Sequence, residues 1–173
     1  MSHSLTPAVA GTLQPKTAAS SETTLSSLMM PEHANPYQVV HGGVIMKIMD
    51  NTGGAVAHRH AESKVVTARV DEMKFLAPVR IGSLVSCHGR LTFVGSSSME
   101  VAVTLTAEGL TSKQPLQTMA TAYFIFVALD EHDQPRPVPP LELVSEEERR
   151  AFAAGKQRYL TYKNRQRTAD LTR

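Results

Sequence analysis

Gly43-Val44-Ile45-Met46-Lys47-Ile48-Met49-Asp50-Asn51-Thr52-Gly53-Gly54-Ala55-Val56-Ala57-His58 sets the architecture expected of this 173-residue chain. The run has no proline, and its apolar side chains lie nearly all round a helical wheel, the pattern of a buried helix. Gly53 and Gly54 would each weaken an isolated helix by about 1 kcal/mol relative to alanine. Their presence predicts that another backbone packs closely against that turn, as in a sheet wrapped around the helix.

Downstream the period changes from helix to strand. Val66, Ala68 and Val70 alternate with Thr67, Arg69 and Asp71, and the apolar set then shifts phase to Met73 and Phe75, as a bulge or bend requires. Val85, Cys87, Leu91 and Phe93 read as one face of a second strand, with Ser86, His88, Arg90 and Thr92 on the other. A turn at Gly95-Ser96-Ser97 leads to a third strand, Met99, Val101, Val103, Leu105 and Ala107 against Ser98, Glu100, Thr104, Thr106 and Glu108. A fourth, about Gln117 to Leu129, is apolar or small on both faces, which predicts either a central strand or one covered by a second subunit, hence an oligomer. Pro135, Pro137, Pro139 and Pro140 end the sheet. Ser145 and Glu148 then form a capping box for a polar C-terminal helix. Residues 1–24, rich in Ser, Thr, Ala and Pro, read as a disordered lead-in. The plan is therefore α+β: a lead-in over 1–24, one domain over 25–140 with a long central helix wrapped by an antiparallel sheet, and a basic helical segment over 141–173.

Composition bounds the function. With 42% hydrophobic and 20% charged residues the chain should fold, and a net charge of +2 gives no electrostatic ground for a nucleic-acid partner. The basic character is local: eight of the eighteen Lys and Arg lie from Ser145 onward, with only four of the sixteen Asp and Glu. Cys87 is the sole cysteine, so no intrachain disulfide can form and a thiolate metal site is excluded. No apolar run approaches the roughly eighteen residues of a membrane span, and the N-terminus lacks a secretory pattern. These features predict a cytoplasmic protein with no membrane partner.

The segment Asn35-Pro36-Tyr37-Gln38-Val39-Val40-His41-Gly42-Gly43 leads straight into the buried helix. Glycines at a helix N-terminus let a substrate reach free backbone N–H groups, where the dipole favours an oxygen gaining negative charge. Asp50 sits in an otherwise apolar stretch, where a carboxylate must be paired, hydrogen-bonded or functional. His58-Arg59-His60 lacks a third ligand at metal spacing and reads as structural or surface. Cys87, on an apolar strand face, reads as core and not as a nucleophile. No Gly-x-Ser-x-Gly elbow is present, which argues against the α/β-hydrolase route to ester hydrolysis.

The run His41 to Asp50, followed by Val66-Thr67-Ala68-Arg69-Val70-Asp71 and by Ser97-Ser98-Met99-Glu100, resembles the hotdog acyl-CoA hydrolases, which include a bacterial short-chain enzyme and animal cytosolic enzymes with tandem domains. The likeness runs from about Met30 to Tyr162 and takes in Glu147-Glu148-Arg149-Arg150 and Gly155-Lys156-Gln157-Arg158-Tyr159. It implies a hotdog fold and hydrolysis of acyl-CoA to a free carboxylic acid and CoA, with CoA entering as part of the substrate and no separate cofactor or metal. It also implies that Asp50 is the catalytic carboxylate, as general base or as nucleophile, with His41 and Gly42 beside it at the helix start. Gly43 N–H would be the oxyanion donor, and Asn35 would position water or thioester from the neighbouring subunit. Ala68, Arg69, Val70, Ser97, Ser98 and Met99 match the CoA-contacting strand and hairpin, and Arg149 and Arg150 match a basic pair near the nucleotide. The implied assembly is a homodimer, further assembled into a hexamer. This chain departs from the pattern at Pro36-Tyr37-Gln38-Val39, where relatives often carry smaller residues. A non-catalytic acyl-CoA sensor is the alternative reading.

Overall fold

The computed structural model describes residues 13–110 and 116–171. Chain order is β1 (Lys16–Thr17), β2 (Thr23–Leu28), α1 (Gly42–Ala61), β3 (Lys64–Phe75), β4 (Ser83–Val94), β5 (Ser98–Gly109), β6 (Gln117–Leu129), β7 (Leu141–Glu142) and α2 (Glu146–Leu171), with single 3₁₀ turns at Ala18–Ser20 and Pro31–His33. Five strands form an antiparallel sheet in the order β2-β4-β5-β6-β3, and β1 pairs with β7 in parallel. The sheet curls around α1 and α2 covers its outer face, which is the α+β hotdog arrangement expected from the sequence.

The core lies between α1 and the inner face of the sheet, where Ile45, Met49, Val56 and Ala57 meet Val85, Cys87, Leu91, Val101, Val103, Leu105, Phe124 and Phe126, all buried. Of the two glycines flagged in α1, Gly53 is the one that geometry requires: a Cβ there would stand 2.9 Å from the ring of Phe126. The close neighbour is therefore a ring and not the backbone that the sequence suggested, and Gly54 has only ordinary contacts.

Two other expectations are corrected, and one is narrowed to a single alternative. Phe93 does not share a face with Val85, Cys87 and Leu91. The ladder slips between Leu91 and Phe93, so Thr92 is an extra residue that turns Phe93 outward, onto Phe152 and Tyr159 of α2. β6 is central, between β5 and β3, the first of the two readings its composition allowed, and its outward Tyr123 is covered by Arg158 of this chain's own α2. Residues 1–12 of the lead-in lie outside the described residues, but from Lys16 the chain is structured. β2 adds an edge to β4, Ala18 is buried, and Lys16 Nζ donates to His60 O and pairs with Glu62 at the C-terminal end of α1. Such an edge strand pairs on one side only and buries little, so its composition stays polar.

The C-terminal helix is built as read. Glu148 N–H donates to Ser145 Oγ (3.1 Å), and Glu148 Oε2 accepts from Ser145 N–H (3.3 Å) and Val144 N–H (2.6 Å). Those hydrogen bonds, the Val144 N–H first, and the Arg90 guanidinium at 2.5 Å hold the Glu148 carboxyl below the usual range. Buried Glu100 accepts from Arg158 at 2.7 and 3.0 Å and from Thr92 Oγ1 at 2.6 Å, which ties α2 to the sheet.

Candidate active site

The loop before α1 is shaped by one side chain. Asn35 Oδ1 accepts from Tyr37 N–H (2.9 Å) and Val39 N–H (3.3 Å), and Asn35 N–H donates to Val39 O (2.8 Å). This Asx-type closure carries Gln38 through the left-handed region at φ 60° and leaves Tyr37 85% exposed at the tip. The Asn35 oxygen is thus spent on the loop, while its side-chain N–H groups have no partner among the described residues.

The helix start differs from the expectation in one respect that matters for chemistry. Gly43 N–H donates to His41 Nδ1 at 2.9 Å, so an imidazole nitrogen acts as the N-cap in place of the usual hydroxyl or carboxylate oxygen. As an acceptor, Nδ1 carries no proton, which places the ring proton on Nε2. Gly43 N–H is therefore occupied, and among the described residues the unpartnered backbone donor at this helix start is Gly42 N–H.

Asp50 lies half-buried in α1, and Thr67 Oγ1, from β3, donates to Asp50 Oδ1 at 2.7 Å. One carboxylate oxygen is held by that hydroxyl while Oδ2 has no partner among the described residues. Thr67 stands in the site, although the sequence assigns it no role beyond a polar place in an alternating strand within the run that carries the resemblance. The available signal was its place: it shares the inner sheet face with Val70 at the level of Phe126, where an apolar residue would serve packing better. Met46, one turn before Asp50 on α1, and Val70, on the same face of β3 as Thr67, are 43% and 37% exposed, and Val66, 39% exposed, lies on the other face of that strand, whose outer edge pairs with nothing described.

Gly43 and Asp50 are seven residues apart on α1, hence on one face, separated by about 10 Å along the axis. A side chain leaning back toward the N-terminus closes only part of that gap. One carbonyl cannot touch both the helix start and the carboxylate of the same chain.

The remaining sequence-predicted residues are scattered over the outer face and hairpin. Arg69 makes a bidentate pair with Asp71 (2.7–2.9 Å), and its guanidinium lies 3.4 Å over the Tyr162 ring. It is held inside the domain. Ala68 sits at the ladder slip between Thr67 and Arg69, and Val70 faces inward at the open edge. Ser97 O accepts from Ala128 N–H in the turn into β5, and Ser98 begins that strand. Met99 is fully buried, so its side chain belongs to the core and a ligand at this hairpin would meet the serines and backbone. Arg149 pairs with Glu146 and donates to Leu143 O (3.2 Å), whereas Arg150 is exposed. His58 Nδ1 bonds Ser63 O and buried His60 donates from Nε2 to Pro139 O, each at 2.8 Å. Among the described residues no three His, Cys, Asp or Glu converge as a metal site, and no helix is long and apolar enough to cross a membrane. Burial, countered by the Thr52 hydroxyl, pushes the Cys87 thiol up to about 11.

Residues 37–113 match the family model described as the thioesterase superfamily. The chain is 38% identical over 151 residues to the cytosolic acyl coenzyme A thioester hydrolase of Mus musculus, covering 87% of this chain but only 40% of that longer protein. It is 34% identical over 147 residues to an uncharacterized acyl-CoA thioester hydrolase of Bacillus subtilis, covering 85% of both. Among solved structures, a hexameric acyl-CoA thioesterase superposes with a TM-score of 0.83 at 29% identity, over 88% of this chain and 97% of that one. A Staphylococcus aureus acyl-CoA hydrolase, solved with coenzyme A as a variant in which an asparagine is replaced by alanine, gives 0.83 at 26% identity over 92% and 95%. The same enzyme has been solved with an aspartate and with a threonine each replaced by alanine.

Proposed function

The chain belongs to the thioesterase superfamily, and from that premise we propose that it hydrolyses acyl-CoA esters to a free carboxylic acid and CoA, with Asp50 as the reacting carboxylate. The Asp50–Thr67 hydrogen bond carries this reading. Thr67 fixes one oxygen and so aims the other, the arrangement required either of a general base on water or of a nucleophile attacking the thioester. In the S. aureus hydrolase the altered asparagine precedes the aspartate by 15 residues and the threonine follows it by 17. Asn35, Asp50 and Thr67 keep those separations in this chain.

The oxyanion donor is Gly42 N–H, which is free, in preference to Gly43 N–H, which His41 occupies. A thioester carbonyl accepting from it would sit at the positive end of α1, where developing negative charge is favoured. Because that point lies about 12 Å from Asp50 along the same helix, the carboxylate acting on it comes from a second copy of the chain. Asn35, whose amide N–H groups are free to donate, serves the same composite site. A two-fold pair has two such sites. The exposed edge of β3 with Met46, Val66 and Val70 is the surface that the second copy would cover, and the hexameric relative supports further assembly into a hexamer. The chemistry asks for no metal or prosthetic group, and the mouse relative supports a cytosolic place of action. With Arg69 engaged inside the domain and Arg149 tied at the surface to Glu146 and Leu143 O, Arg150 and the serines of the 97–98 turn are the groups left to meet the nucleotide end of CoA.

Release of CoA thiol from acyl-CoA esters tests the reading. The parent should turn over, and Asp50→Ala should lose two or more orders of magnitude while remaining a folded oligomer. Mixing Asp50→Ala with Asn35→Ala chains under exchange should restore activity, since a mixed pair holds one intact composite site. Parent protein that binds CoA esters tightly without cleaving any would overturn it in favour of a sensor.

A further inference from the structure

Beside Gly42 the structure has an open cleft of about 310 Å³, walled by Val40, Ile45, Phe75, Leu76, Val79 and Met119 and completed by Ala77, Pro78 and Ala120. No wall residue carries a polar side chain. Much of the wall backbone is satisfied as well, since Val40 N–H donates to Val79 O (2.9 Å) and Leu76 N–H to Met119 O (2.8 Å). Phe75 and Leu76 are 53% and 57% exposed at its mouth, more apolar surface than a folded chain gains by showing to water.

We infer that this cleft takes the acyl chain of the substrate and that its size sets a preference for chains of medium length. The inference rests on the hydrolase reading for the position of the carbonyl, at Gly42 N–H in the cleft wall. From that carbonyl the substrate runs two ways, into pantetheine and into the acyl chain. Pantetheine carries two amides, and burying them against walls without polar side chains would leave them unpaired. A hydrocarbon chain loses nothing there and gains by leaving water. A chain carbon occupies about the ~30 Å³ of a water molecule in the liquid, so the cleft accommodates on the order of eight to ten carbons.

The test uses the intact oligomer and CoA esters from two to sixteen carbons. In the parent, kcat/KM should rise by up to about fourfold per methylene and level off near eight to ten carbons. Ala77→Phe, which fills the cleft, should move that plateau several carbons shorter, with each ester's kcat/KM taken relative to acetyl-CoA in the same variant. Phe75→Ala, at an exposed position, should weaken the length dependence, read as the ratio of long-chain to acetyl-CoA kcat/KM so that any loss common to all esters cancels. Calorimetry with S-octyl- and S-decyl-CoA thioethers, which cannot be hydrolysed, should show the same chain-length gain over CoA and its loss in Ala77→Phe. A flat length profile in an active parent, an unmoved plateau in both variants, or an equal loss at every length, which would make the cleft the pantetheine seat or a subunit contact, overturns the inference and leaves the hydrolase reading standing. Thioethers that bind by chain length to a protein inert toward every ester would do the reverse.

Discussion

Gly155 should be irreplaceable for packing even though alanine is the better helix former. α2 crosses the outer sheet face so closely that a Cβ at Gly155 would stand 2.6 Å from Glu100 Oε1 and 2.7 Å from Phe93 Cβ. Neither neighbour can give way alone. Glu100 Oε1 is fixed by Thr92 Oγ1 and Arg158 at 2.6 and 2.7 Å, and the Phe93 ring packs against Phe152 and Tyr159 with centroids at 5.0 and 5.4 Å. Ordinary carbon contact is near 3.5–4.0 Å, so the helix must lift by about 1 Å and loosen the ion pair beneath it. Overpacking costs about 1–3 kcal/mol, the weakened buried pair adds about 1 kcal/mol, and the helix preference of alanine returns about 1 kcal/mol. The net loss for Gly155→Ala is about 2 kcal/mol, or about 4–8 °C in Tm for a chain of this size. Scanning calorimetry of parent and variant at one protein concentration measures it. A variant as stable as the parent, or more so, would show that α2 is not seated as described.

Thr67→Val should cut kcat/KM about tenfold, the low end for a hydroxyl bonded to a carboxylate at an exposed position, whereas Thr67→Ser stays near the parent; equal activity of the valine variant would sink the aiming role. Cys87, with its thiol pushed up to about 11 by burial, is about one part in a thousand ionised at pH 8. It should ignore iodoacetamide in the native protein and react fully in denaturant, and rapid native labelling would contradict its place in the core. Burial also holds the His60 imidazole below its ordinary 6.5, partly offset by its hydrogen bond to Pro139 O. The unfolded chain therefore takes up a proton below pH 6.5 that the folded chain refuses, so stability falls as pH drops from 6.5 to the lower folded value and then levels. His60→Gln should flatten that part of the pH profile of urea midpoints, and an unchanged slope would assign it to another group.

The sequence was most readable where apolar residues recur regularly. α1 announced itself by its apolar run, with Ile45, Met49, Val56 and Ala57 buried against the sheet although Met46 stays exposed, and β5 because its inner residues alternate without interruption. What escaped has local causes. One extra residue at Thr92 reverses the facing of Phe93, and no pattern in Leu91-Thr92-Phe93-Val94 marks it. β2 gains order from an existing edge and has a composition indistinguishable from a tail. The site was half legible. Asp50 stood out as a charge among apolar residues, while Thr67 differs from a surface threonine only through its partner across the fold, 17 residues away. The cap on Gly43 was hidden because histidine is an unusual N-cap, so nothing in His41-Gly42-Gly43 warned that the second glycine's N–H is used.

The Glu100–Arg158 pair also imposes an order in time. During synthesis Glu100 leaves the ribosome 58 residues before the guanidinium that will neutralise it. Until then the outer face is open to water, so the Glu100 carboxylate stays hydrated while the strands collapse around α1, and what is missing is the cover over Phe93. The nascent sheet therefore lacks its outer cover until the first half of α2, as far as Arg158, has emerged, and a ribosome stalled in the proline-rich segment at 135–140 would display an unfinished domain with Phe93 uncovered, a ready target for a chaperone.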